Sequence, residues 1–175
     1  MSLSNFTRRY CAELHRFCAE RGHALKLLGY GTAPGGWRVV VMEMVVPDID
    51  KTLTHYAPTH LGRWEKDLTH LVEEFHGEGF VHGDLRDANL FVRAGKPEMI
   101  MLVDYDWGGK HGEASFPTRL LHEELTGGEE LKSLEITKEH DIRVLRTTFL
   151  NLRLSSFKLK FMLGGEIDEA QKMES

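Results

Sequence analysis

The chemistry-bearing residues of this chain crowd into two short segments. The first is His82-Gly83-Asp84-Leu85-Arg86-Asp87-Ala88-Asn89-Leu90-Phe91-Val92, and the second is Met101-Leu102-Val103-Asp104-Tyr105-Asp106-Trp107-Gly108. Phosphoryl transfer from a nucleotide needs a group that orients and deprotonates the acceptor, and cation ligands that offset the phosphate charge. Mg²⁺ takes hard oxygen donors, few of them from protein and the rest from phosphates. A loop carboxylate, an amide oxygen five residues later and a carboxylate ending the next strand can converge on such a cluster. Asp84, Asn89 and Asp104 fit that set. The plainer account is a surface loop whose Asp and Asn side chains cap turns. It explains each residue singly but not their order along the chain.

These residues need elements that bring them together. Leu61, Trp64, Leu68, Leu71, Val72 and Phe75 recur at helical spacing and predict an amphipathic helix that ends at Gly77 and Gly79. The loop follows it. Strands are predicted at Leu90 to Arg93 and Met99 to Val103, joined by a turn with Gly95 and Pro97, so that a hairpin sets Asp104 beside Asp84. Upstream, Phe6, Tyr10, Leu14 and Phe17 predict a helix from Asn5 to Arg21, capped by Ser4 or Asn5 and ended by Gly22. Two strands follow, Lys26 to Gly31 and Trp37 to Val46, across the turn Thr32-Ala33-Pro34-Gly35-Gly36. Tyr105 to Ile136 reads as irregular. A last helix is expected from Lys138 to about Leu163, with Ile142, Leu145, Phe149, Leu152 and Phe157 inward.

Composition narrows the partners. The 175 residues carry 22 Lys and Arg against 27 Asp and Glu, a formal charge of −5, so no basic stripe invites nucleic acid. The most apolar stretch, Val39 to Val46, is broken by Glu43, and a spanning helix needs roughly 20 apolar residues. Neither a membrane partner nor a signal peptide is expected. Cys11 and Cys18 on one helix stand about 10.5 Å apart along its axis, too far for a disulfide. Two reduced thiols point to an intracellular protein, cytoplasmic or nuclear. His55, His60, His76 and His82 lack the spacing of a zinc site. Trp64, Phe75 and Trp107 read as core, although Trp107 beside Asp106 can also shape a nucleotide pocket.

The two segments resemble the protein-kinase superfamily, whose signatures are H-R-D-L-x-x-x-N and D-F-G. The stretches Tyr10-Cys-Ala-Glu-Leu-His and Val103-Asp-Tyr-Asp-Trp-Gly-Gly-Lys110 are also similar to kinase-domain proteins of mushroom-forming fungi. The resemblance implies an α+β, protein-kinase-like fold, with a mainly helical C-lobe and an incomplete N-lobe of C-helix and two strands. It divides a single domain, 1–175, into an N-lobe remnant and hinge (1–46), a C-lobe (47–163) and a frayed tail (164–175). Carried over by position, Asp84 is the catalytic base, and Arg86 takes the place of a phosphate-contacting lysine. Asn89 and Asp104 are the metal ligands, with Tyr105 for Phe and Asp106 for Gly. Met42 falls near the gatekeeper, backbone groups of Glu43 and Val45 would meet adenine, and Glu13 is the candidate ion-pairing glutamate of the C-helix. An exposed helix acid explains Glu13 as readily. Asp141 is either the aspartate that bonds the catalytic-loop backbone or a favourable charge in a first helical turn. The implied cofactors are ATP and Mg²⁺. The implied acceptor is a protein hydroxyl, serine or threonine before tyrosine.

The pattern also departs from the family. Gly83 replaces the Arg that in many protein kinases pairs with a phosphorylated loop, which argues against Ser115 or Thr118 as switches. Glycine there also occurs in aminoglycoside- and choline-type phosphotransferases, so a small-molecule acceptor stays open. No lysine precedes Glu13, and the first glycine is Gly22. The residue nearest the expected lysine place is Asn5. The chain is therefore expected to be short at its N-terminus, and a non-catalytic, kinase-derived binding module is the second reading. The segment Gly112 to Pro117 is expected to stand in for the usual A-P-E anchor.

Overall fold

The computed structural model describes residues 2–44, 50–53, 58–94, 98–118, 122–126, 128 and 133–173, with the backbone alone for 50–52, 58–59 and 157–173. The chain opens with strand β1 (Ser2–Thr7), followed by helix α1 (Ala12–Glu20). The helix expected from Asn5 is thus corrected at its start. Residues 2–7 pair antiparallel with strand β3 (Trp37–Glu43), Phe6 opposite Val39, and β3 pairs on its other edge with β2 (Leu27–Ala33). The sheet order is β1-β3-β2, three strands where two were expected. Phe6, counted as the first residue of a helical stripe, is 61 % exposed on this sheet. The ladder bonds offered by β3 outweigh a local pattern that rested on one aromatic residue.

From Ala12 onward the helical reading holds, and Tyr10, counted in the helical stripe, lies before the helix. Leu14 and Cys18 are buried, Cys11 precedes the first helical residue, and both thiols are free. Gly22, at φ +79°, closes the helix with its N–H on the Ala19 carbonyl, a left-handed conformation that costs glycine little. Pro34-Gly35-Gly36 makes the turn between β2 and β3.

Strand β4 (Asp50–Thr52) leads toward helix α2 (Pro58–Gly77), whose inner stripe Leu61, Trp64, Leu68, Leu71, Val72 and Phe75 is buried throughout. Each such side chain contributes on the order of 1.5–3 kcal/mol by leaving water. Strand β5 (Phe80–Val81) precedes the loop, and β6 (Leu90–Arg93) follows it. β6 pairs with β7 (Met99–Leu102) in the expected hairpin, Leu90 opposite Leu102, and with β4 on its other edge. The turn at Gly95 and Pro97 lies outside the described residues.

The stretch after Tyr105 carries more order than expected. Strand β8 (Gly109–Lys110) pairs with β5, and Ser115 bridges Glu135. A short helix α3 covers Glu123–Thr126. Phe116 is buried edge-on to Trp107 and His140, so Gly112 to Pro117 is anchored through that ring. Helix α4 (Lys138–Met173) starts where expected but runs beyond Leu163, through Gly164-Gly165 and into strong helix formers such as Glu, Ala and Gln, where a frayed tail was expected. Leu145, Phe149 and Leu152 join the core with α2, and Ile142 is partly buried beside them. Phe157 has no described side chain.

Candidate active site

Helix α4 holds the loop from below. The Asp141 carboxylate is fully buried and accepts three hydrogen bonds, from the His82 amide (2.8 Å), the Gly83 amide (2.8 Å) and His76 Nε2 (3.1 Å). His140 Nε2 lies 3.3 Å from the Gly83 carbonyl, and Thr148 Oγ1 donates to the Leu85 carbonyl at 3.1 Å. Of the two accounts of Asp141, bonding to the loop backbone is what the structure shows. Its place in the first turn of α4 adds a favourable dipole.

Gly83 sits at φ +87°, and a Cβ there would stand 2.8 Å from Ile136 Cδ1. The left-handed φ is what favours glycine here, and any side chain would also have to displace the tip of Ile136. Gly83→Ala is expected to cost about 1–3 kcal/mol through left-handed strain and overpacking. Urea unfolding reads this as a lower midpoint, and an unchanged midpoint contradicts it.

Within the loop, Arg86 grips Asp84 with two charge-assisted bonds, Nε to Oδ1 at 2.6 Å and Nη2 to Oδ2 at 2.8 Å. Asp84 is only 5 % exposed, and Arg86 Nη1 also lies 3.8 Å from the Glu124 carboxylate. Asn89 Nδ2 donates to the Asp84 carbonyl at 3.0 Å. With the amide nitrogen so used, the Asn89 amide oxygen is the atom left to face a cation. The Val103 amide donates to the Asn89 carbonyl at 3.0 Å, which sets Asp104 next to Asn89.

Asp104 is exposed and, among the described residues, is the one non-glycine residue with positive φ, at +63°. That conformation costs roughly 1–2 kcal/mol and persists only where the surroundings impose it. The surroundings come from α1. Tyr105 is buried and stacks on His15 with centroids 4.6 Å apart, and its carbonyl takes the Cys11 amide at 3.0 Å. Tyr10 Oη in turn meets His15 Nδ1 at 2.5 Å. Burial pushes the Asp106 carboxyl up, a hydrogen bond from Thr7 opposes this, and the Asp104 charge adds to the rise.

Three histidines around this site have their pKa lowered below the ordinary value. Burial is the largest cause of lowering for His15, His82 and His140. A histidine with a folded pKa below its unfolded value of about 6.5 favours the fold fully above that pH and disfavours it as pH falls below. The thermal midpoint is expected to drop between about pH 7.5 and about pH 5.5. A midpoint unchanged across that interval contradicts the burial argument.

The remaining sequence candidates lie elsewhere. Glu13 is exposed on α1, whose inner face is made by Leu14, His15 and Cys18, and its carboxylate is 4.0 Å from Cys11 Sγ. The Glu43 amide donates to the Lys26 carbonyl at 3.0 Å, so an adenine contact there would fall to the Glu43 carbonyl. Its side chain meets Arg93 at 3.5 Å and faces a cavity of about 510 Å³ with Arg16, Met99 and Met101, which Asp84, Asn89 and Asp104 do not line. Val45 lies outside the described residues. Sequence reasoning overlooked Thr7 and His15. His15 shares the Cys11–Cys18 stripe and was legible there, whereas nothing local marks Thr7.

No protein-family model and no curated protein matches the chain. Among solved structures, the Cydia pomonella granulovirus kinase PK-1 matches with a TM-score of 0.63. The fold is kinase-like. The match covers 87 % of this chain and 59 % of the viral kinase at 15 % identity, so the likeness is one of architecture. On this kinase-like scaffold Asp84, Arg86 and Asn89 share one anchored loop, and Asp104 leaves the adjoining strand. No helix among the described residues is long and apolar enough to cross a membrane.

Proposed function

We propose that this chain is a protein-kinase-like phosphotransferase that moves the γ-phosphate of ATP to a protein hydroxyl, serine or threonine rather than tyrosine, with Mg²⁺ as cofactor. The observation that carries the reading is the gathering of Asp84, Arg86, Asn89 and Asp104 on one loop and the strand end beside it. The donor set fits the metal, because the Asn89 amide oxygen and the Asp104 carboxylate are hard oxygens on segments joined by the Val103–Asn89 backbone bond. When bound, Mg²⁺ and ATP supply the phosphoryl group and the charge that offsets it.

The chain's own part is positioning and proton transfer. Asp84 accepts the proton of the attacking hydroxyl at one carboxylate oxygen. Each oxygen accepts one bond from Arg86 and keeps a lone pair for that proton, so Arg86 orients the carboxylate while its remaining N–H groups can donate to phosphate. Asp141, His140 and Thr148 keep the loop backbone still.

The second reading is a non-catalytic, kinase-derived binding module. It is favoured by the exposure of Glu13 and by Asn5 on β1, a strand that carries no lysine. A small-molecule acceptor is the third reading, and the positive φ of Gly83 suits either class of acceptor. The test is γ-phosphate transfer by the wild type and by Asp84→Asn, with protein acceptors set against amino-sugar and choline-like ones. A signal on protein that falls on the order of 10²–10⁴-fold in Asp84→Asn supports the enzyme. Equal background in both proteins supports the binding module.

A further inference from the structure

We propose that Thr7 and Asp106 form a clasp that positions the Asp104 carboxylate for its cation, which rests on the reading of Asp104 as a metal ligand. The strained backbone at Asp104, φ +63°, needs support on both sides. Toward the N-terminus the support is the Val103 amide on the Asn89 carbonyl, at 3.0 Å. Toward the C-terminus it is Asp106. The Asp106 amide donates to Asp104 Oδ1 at 3.3 Å, a bond that sets how the Asp104 carboxylate is turned. Asp106 is itself held by its side chain, whose Oδ2 meets Thr7 Oγ1 at 2.6 Å across 99 residues of sequence.

Thr7 is a firm anchor. It is 8 % exposed at the end of β1, and the Cys11 amide ties the same connection to the Tyr105 carbonyl, one residue from Asp106. A glycine at position 106 would offer the amide but no side chain to hold it. Thr7 and Asp106 are therefore positioning residues. They make the β1–α1 unit and the Asp104 turn one mechanical piece, so that the first strand acts on the metal site although it supplies no ligand to it.

The test uses the full chain with Thr7→Val, which keeps the shape and removes the hydroxyl, and Thr7→Ser, which restores it. ATP affinity is measured with saturating Mg²⁺ and with EDTA, and amide exchange of residues 104–107 is followed in the metal-free protein. Thr7→Val is expected to lose about tenfold of the Mg²⁺-dependent affinity, the scale of an outer-shell contact, with EDTA values unchanged. Exchange at 104–107 should quicken, and Thr7→Ser should return both readouts toward wild type. Wild-type Mg²⁺ dependence in Thr7→Val overturns the clasp, with or without a change in exchange. Asp106→Ala removes the other half and replaces Thr7→Val in the test if that variant does not fold. Asp104→Ala runs alongside. Its keeping full Mg²⁺-dependent binding defeats the ligand reading, and metal-free exchange then still decides whether the clasp holds the turn.

Discussion

Asp104→Ala is expected to abolish Mg²⁺-dependent ATP binding while the protein stays folded. The two halves of this expectation have separate causes. The Asp104 carboxylate is exposed and supports no core contact, so its loss leaves the hairpin of β6 and β7 and the stack of Tyr105 on His15 in place. As a proposed ligand, however, it has no substitute in the same place. An outer-shell partner alone is worth about 10–100-fold in metal affinity, and loss of a ligand removes at least that much. The backbone sharpens the case. At φ +63° Asp104→Gly relieves strain that alanine would keep, so this variant is expected to bind no better than Asp104→Ala while unfolding at or above the wild-type temperature. Calorimetric titration of ATP and a thermal scan on each variant check both parts. ATP binding that survives in either variant with its Mg²⁺ dependence intact defeats the assignment.

Asp141→Ala is expected to unfold much of the protein. The Asp141 carboxylate lies fully buried, and its removal strands the His82 and Gly83 amides and His76 Nε2 in a dry site. Each unpaired buried donor costs about 1–3 kcal/mol, so the total is roughly 3–5 kcal/mol even after some relaxation. That is a large share of the about 5–15 kcal/mol that holds a domain folded. Asp141→Asn keeps one acceptor oxygen and should fall between the two. A fall of many degrees in the thermal midpoint of Asp141→Ala is the expected result. A midpoint within a degree or two of wild type would mean that the loop does not depend on α4.

What could be read in the sequence was local. His82 to Asn89, the helix before it and the hairpin after it are consecutive along the chain, so spacing alone brought Asp84, Asn89 and Asp104 near one another. What resisted reading depended on pairing across distance. β1 exists because residues 2–7 find β3 more than thirty positions later, and no local pattern announces such a partner. Thr7 and Asp106 meet for the same reason. Glu13 shows the opposite failure. Its place on a helix was legible, but which side of α1 faces Tyr105 is set by His15 and Cys11, and Glu13 is turned outward. Asp141 had two accounts of equal weight because a buried acid and a capping acid look alike until the amides of the loop 59 residues upstream are seen on it.

The most direct measurement of the central claim needs no variant. ATP is titrated into the wild-type chain across a range of Mg²⁺ concentrations, from EDTA to saturation. The account predicts that ATP affinity rises with Mg²⁺ and then levels off, because cation and phosphates are held together by Asn89 and Asp104. ATP affinity that is the same in EDTA and in saturating Mg²⁺, or no ATP binding in either, would contradict it.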